Sequence, residues 1–236
     1  MTTMTKLLGA TGFPYRTAGW AAIASGTLGI LAHAALLAAV FSRTSWEVSG
    51  QVLHLFSLHN GIAILQFLLM IAAVISLYRL SNNESTGMSQ ATLITGVLTL
   101  SITALFLLFI FPKVMSDSYY MIPQAMFGIW LVIVNWQLSG ILPRGLRWFG
   151  MIVGVGLLLV GLSVIGYAIF VDSIGLHIPA VDQNKTEDPG ATTANIIVHN
   201  ILFIGSFMGV LTLPFWTILL GRKLIREREG QLAMGN

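Results

Sequence analysis

The chain has 236 residues, of which 56% are hydrophobic and only 9% charged, with a mean hydropathy of +0.83. Soluble domains carry about 25% charged residues, and a chain of this length cannot hide such a deficit in a larger core, so the composition excludes a water-soluble globular domain and predicts a single membrane domain over residues 1–236. The 12 Lys and Arg exceed the 9 Asp and Glu by only three, an excess that in a membrane protein serves topology rather than nucleic-acid binding, and the absence of cysteine excludes disulfides, iron–sulfur clusters and a thiol nucleophile.

Residues 1–16 are mildly basic, with Lys6 and Arg16. The apolar run 18–41 is too long for a signal-peptide core and is followed by Phe41-Ser42-Arg43 rather than a small-residue cleavage site, so it reads as a retained first span. Gly19, Ala22, Gly26 and Gly29 give that span a small-residue face for a neighbouring helix. From Ser42 to Asn60 the chain turns polar and then amphipathic. Trp46, Val48, Val52, Leu55 and Phe56 recur at near-helical spacing, which predicts a short helix lying in the membrane interface, anchored by Trp46.

A second span, 61–80, ends in Tyr78-Arg79, and residues 81–90 form a plain polar loop. The third span, 91–111, stops at Pro112-Lys113, and two tyrosines, Tyr119 and Tyr120, follow at headgroup depth. The fourth and fifth spans, 124–142 and 147–170, are uncharged runs joined by Leu142-Pro143-Arg144-Gly145-Leu146-Arg147, a turn so short that they must lie antiparallel and touching. Residues 171–194 are the longest polar segment, a lid or a disordered loop. The sixth span, 195–220, contains Pro214, which predicts a kink, and runs on into the charged stretch 221–230. The expected fold class is thus an all-α membrane protein: a six-transmembrane-helix bundle with a short interfacial helix after the first span and an outer loop between spans five and six.

Orientation follows from the basic residues. With a cytoplasmic N-terminus, Lys6, Arg16, Arg79, Arg144, Arg147, Arg222, Lys223, Arg226 and Arg228 all fall inside, and only Arg43, Lys113 and Lys185 fall outside. That bias puts both termini in the cytoplasm. Tyr15-Arg16-Thr17-Ala18-Gly19, Leu77-Tyr78-Arg79-Leu80 and Leu142-Pro143-Arg144-Gly145-Leu146, followed by a glycine-rich fifth span, resemble a loose family of six-helix bacterial inner-membrane proteins. The resemblance implies a bacterial cytoplasmic (inner) membrane location and the fold; the family has no established activity, so no catalytic residue carries over.

Polar residues inside spans are costly and often mark function. His33 lies about 12 Å below the outer surface, Thr103 on span three at similar depth, and Gln66 and Asn200 somewhat shallower. With His199, one turn into span six, these residues could line a pocket open to the outside, or each could simply be hydrogen-bonded between helices or wet at the interface. His54, His59 and His177 also fall in the outer half. Asn195 and His199 share a helical face. Asn135 and Gln137 cannot share one, and at least one of them is expected to bond to Thr92, Thr95 or Thr99 of span three. Gly150-xxx-Gly154 and Gly205-xxx-Gly209 suit helix packing within one subunit. Lys113 at a span edge snorkels to headgroups, and residues 222–229 mix signs as a solvated helix end able to touch anionic lipid.

No nucleotide loop, hydrolase elbow, metalloprotease motif or intramembrane acidic pair is present, so no catalytic or metal-binding residue is assigned. Three functions compete. The first is a non-enzymatic accessory or subunit protein packing against lipid, a membrane partner or its own copy. The second is a binder of an apolar small molecule, pigment or haem near His33 and His199. The third is a small membrane enzyme or transporter using the outer histidines. The pattern names no cofactor.

Overall fold

A computed structural model describes residues 15–41, 50–83, 88–110, 119–170 and 189–234. The described residues are almost all in α-helices, with a few in turns and no strand among them. In chain order they are α1 (Tyr15–Phe41), α2 (Gly50–Asn83), α3 (Gln90–Ile110), α4 (Met121–Gln137), α5 (Arg144–Phe170), α6 (Pro189–Gly205) and α7 (Leu213–Met234). A single π-helical turn, Ser206–Val210, links the last two. Five helical stretches are long and apolar enough to cross a membrane: Arg16–Ala39, His54–Asn82, Gln90–Phe109, Arg144–Phe170 and Thr193–Arg226.

Two expected boundaries are corrected. The interfacial helix and the second span are not separate from Gly50 onward: α2 runs unbroken for 34 residues. Gly61, where the span was expected to begin, sits in open space within the helix and breaks nothing; a lone glycine weakens a helix by only about 1 kcal/mol relative to alanine. Residues 42–49, with the Trp46 anchor, lie outside the described residues, as do Pro112-Lys113 and 171–188 of the outer loop. The fourth span was expected over 124–142, but α4 has 17 residues and ends at Gln137, so it is not among the five membrane-length helices. Leu138 caps it, its N–H bonded to the Val134 carbonyl at 2.9 Å, and the chain then turns back through Pro143. Arg147 ties the turn by donating from Nη1 to the Ser139 carbonyl at 3.1 Å.

The helices pack in sequence order into a closed ring, α1 against α2, α2 against α3, and so on to α5. Then α7 sits between α5 and α1, while α6 and the π turn lie on α5. Neighbours are antiparallel. Ser25 donates to the Gln66 carbonyl and His59 to the Ala32 carbonyl, so α1 and α2 run in opposite directions. A Cβ at Gly19 would meet Ile225, and one at Gly29 would meet Pro214, so α1 and α7 do too. Alternation brings Arg16, Arg79, Arg144, Arg147, Arg222, Lys223 and Arg226 to one end of the ring. Ser89 caps α3 by accepting from the Thr92 N–H at 3.1 Å, and Ser81 ties the end of α2 to its start by accepting from the Met88 N–H at 2.9 Å.

The core is Leu, Val, Met and aromatic side chains from every layer of the ring, among them Phe127 stacked on Trp130 with ring centroids 5.1 Å apart. Outward, Ile94, Leu98, Leu105, Leu108, Ile129, Ile133, Ile196, Phe203 and Phe207 are all exposed, an apolar belt far beyond what a soluble monomer shows and consistent with a membrane protein. Close approach along α5 depends on missing side chains. A Cβ at Gly156 would lie 2.6 Å from the Gly209 Cα, and one at Gly154 would lie 2.6 Å from the Gly128 carbonyl oxygen. Both small-xxx-small patterns therefore serve packing within the subunit.

Candidate functional site: a polar cavity at the break in the last helix

Pro214 has no N–H, so the Val210 carbonyl loses its usual intrahelical donor. The chain answers with the π turn, in which the Leu211 N–H reaches back to the Ser206 carbonyl at 2.9 Å, and with a tightened step in which the Phe215 N–H bonds Thr212. The Thr212 hydroxyl donates to the Met208 carbonyl, and the Thr217 hydroxyl to the Pro214 carbonyl at 2.8 Å. Hydroxyls thus add bonds to backbone carbonyls on both sides of the break. The kink expected at Pro214 takes this form.

Beside the break lies a small cavity of about 30 Å³. His33 and Ala32 of α1, His59, Ala63, Gln66 and Phe67 of α2, Leu107 of α3, Gln124 of α4 with Tyr120 just before it, and Val210 and Leu213 line it. Five parts of the ring converge here. The Nδ1–H of His33 donates to the Gly29 carbonyl one turn back at 2.6 Å, and the Nδ1–H of His59 donates across to the Ala32 carbonyl at 2.8 Å. A carbonyl can only accept, so Nδ1 carries a proton in each ring and Nε2 is the lone-pair nitrogen of the neutral form. The two rings stand edge to face with centroids 6.3 Å apart. Gln66 and Gln124 are each 3% exposed, and the Oε1 of Gln124 has no hydrogen-bond partner. Gly29 is required for the arrangement: a Cβ there would lie 2.7 Å from the Pro214 ring and 2.8 Å from the Gln66 amide nitrogen.

Of the residues singled out in the sequence, the structure brings His33 and Gln66 together. Thr103 is buried but does not line the cavity; its hydroxyl donates to the Thr99 carbonyl at 2.7 Å. His199 and Asn200 are exposed on α6 and do not line it either. His199 instead meets Asn195 at 3.3 Å on the same helical face. His59, Gln124 and Tyr120 are the cavity residues that sequence reasoning did not select. The signal for His59 was the antiparallel offset: the step from Ser25 to His33 on α1 nearly matches the step from Gln66 back to His59 on α2. Among the described residues no group of three His, Cys, Asp or Glu side chains could hold a metal.

A second polar spot lies toward the basic end. A Cβ at Gly150 would lie 2.5 Å from both the Asn135 Oδ1 and the Trp216 Nε1. This acceptor and this donor are both buried and without partners. The expected bond from Asn135 to span three is absent: its Nδ2 donates within α4 to the Leu131 carbonyl at 2.8 Å, and Gln137 is exposed. The link between α3 and α4 is made by Trp130, whose Nε1 donates to the Thr92 carbonyl at 2.6 Å.

A water needs roughly 10–15 Å³ of such space, and organic ligands need pockets of about 300–1,000 Å³. The cavity at the histidines therefore accommodates one or two waters, with the Gln124 Oε1 as a ready acceptor. No protein-family model, curated protein or solved structure matches the chain.

Proposed function

We propose that this chain is a non-enzymatic accessory or subunit protein of a bacterial inner membrane. On this reading it crosses six times with both termini in the cytoplasm, and it acts through its outer helix faces rather than through an internal site. The observation that carries this is the small size, about 30 Å³, of the place among the described residues where polar side chains from most of the ring converge, which is too small for an organic ligand. His33, like Thr99, Thr103, Ser163 and Thr217, spends its donor on a carbonyl of its own helix, and His59 spends one across on α1, the behaviour of polar groups that serve the backbone and the packing of helices. The outer faces point the same way. Only 22% of the final membrane-length stretch is buried, against 44% for those of α2 and α5, and it presents Phe203, Phe207 and Phe215 outward. The 17 residues of α4 cover about 25 Å at 1.5 Å each. That is some 5 Å short of the hydrocarbon layer, a mismatch that local thinning and the flanking aromatics Tyr119, Tyr120 and Trp136 accommodate.

The test is purification from native membranes in mild detergent, with photo-crosslinking residues at Phe203 and Phe207. The expected result is a discrete protein adduct or an excess of tightly held lipid, unchanged in His33→Ala. Visible absorbance, or a bound organic molecule lost in His33→Ala, overturns it.

A second reading, a small transporter, has one observation in its favour: the His33–His59 pair abuts the broken helix, and broken helices mark ion sites in transporters. It predicts proton or cation flux in proteoliposomes that disappears in His33→Leu. Flux that survives the substitution, or no flux from the wild type, removes it.

A further inference from the structure

At the basic end, α5 and α7 line a groove of about 400 Å³. Its walls are chemically divided. Pro143, Leu146, Phe149 and Leu219 supply an apolar side, and Arg222, Lys223 and Arg226 of α7 supply a cationic rim. Arg222 and Arg226 are one turn apart and share a face, a like-charge pair that weakens an isolated helix. Across the groove α5 opens with Arg144 and Arg147 and has no acidic residue in its first turn, although the positive pole of a helix disfavours cations there. No acidic side chain is among the described residues of the groove. The chain thus sets three cations of α7 over an apolar trough, with the basic start of α5 nearby.

We infer that this groove binds one anionic phospholipid from the adjacent leaflet, its phosphodiester held by Arg222, Lys223 and Arg226 and the start of an acyl chain lying along Leu146, Phe149 and Leu219. The divided walls decide for lipid over free phosphate. An inorganic anion gains nothing from Leu and Phe, whereas an acyl chain attached to the phosphodiester can pack against them. The apolar side also opens onto surface already facing outward, with Trp148 and Phe215 both more than half exposed. Trp148 stands where interfacial tryptophans sit relative to headgroups. This inference rests on membrane insertion, the premise of the proposed function, and names a lipid partner for it.

The test uses the full chain in detergent and native mass spectrometry with phosphatidylglycerol, phosphatidylcholine and inorganic phosphate as probes. Phosphatidylglycerol is expected to stay bound under conditions that strip phosphatidylcholine, and phosphate is not expected to compete with it. Arg222→Gln/Arg226→Gln, two exposed positions, should weaken the phosphatidylglycerol adduct about thirtyfold, taking each membrane-surface cation at its usual worth. Gly145→Leu keeps every charge and fills the groove from a position with open space around it, and should weaken the adduct severalfold. Equal retention of both lipids, an adduct indifferent to both variants, or displacement by phosphate overturns the inference. Failure of the wild type to enter bilayers at all would instead remove the membrane reading beneath it.

Discussion

Gly156→Ala tests whether the ring is closed by backbone contact between α5 and the π turn. A methyl group at Gly156 would lie 2.6 Å from both the Gly209 Cα and the Met208 carbonyl carbon, and closer still to the Gly209 nitrogen. All three are backbone atoms, so no rotamer can relieve the overlap. Ordinary contacts begin near 3.4 Å, so α5 and the π turn must part by about 1 Å, and an overlap of that kind costs about 1–3 kcal/mol. The same separation would loosen the approach at Gly205, where an added Cβ would lie 2.9 Å from both the Gly156 carbonyl oxygen and the Leu159 Cβ. Alanine also gains helix propensity, about 0.5–1 kcal/mol, so the variant is paired with Gly61→Ala, which gains the same propensity in open space. Reversible unfolding in mixed micelles, followed by tryptophan fluorescence and circular dichroism, should place Gly156→Ala about 1–3 kcal/mol below Gly61→Ala. If the two variants unfold within about 0.5 kcal/mol of each other, a difference below the usual surface-substitution scatter, the backbone contact is not what holds the last helix.

Trp130→Phe keeps the stack on Phe127 but removes the donor to the Thr92 carbonyl, and should cost about 0.6–1.7 kcal/mol in the same assay; Gln137→Ala, at an exposed position, should be silent. His59→Leu removes a bond between α1 and α2 and should lower stability, whereas the Nδ1 of His33 bonds to its own helix, so His33→Leu should sit within about 0.5 kcal/mol of wild type. Equal losses would show that the ring edges and cavity, not the cross-helix bond, matter. Because the chain has no cysteine, single substitutions report sidedness directly. Ser89→Cys and Ser139→Cys should label from the same side of intact inverted vesicles, and Tyr119→Cys from the other. Labelling of Tyr119→Cys and Ser139→Cys from one side would mean that α4 does not cross.

Composition alone determined the class, because 56% hydrophobic and 9% charged residues leave no way to cover the surface with polar groups. Period and punctuation placed most helices: the turn around Pro143, the break at Pro214 and the small-residue faces of α1 and α5 are all local signals, and each is present where the sequence put it. What local signals could not decide was which polar groups meet. His33 and Gln66 meet, while Thr103 turns its hydroxyl to its own helix and His199 stays outside. Depth in a span fixes one coordinate of a side chain, but the rotation of each helix about its axis is set by packing against two neighbours. Here, glycine-permitted approaches at Gly29, Gly150 and Gly156 set that rotation. The groove between α5 and α7 was likewise beyond sequence reasoning, since Leu146 and Arg226 are eighty residues apart and became neighbours only when the ring closed.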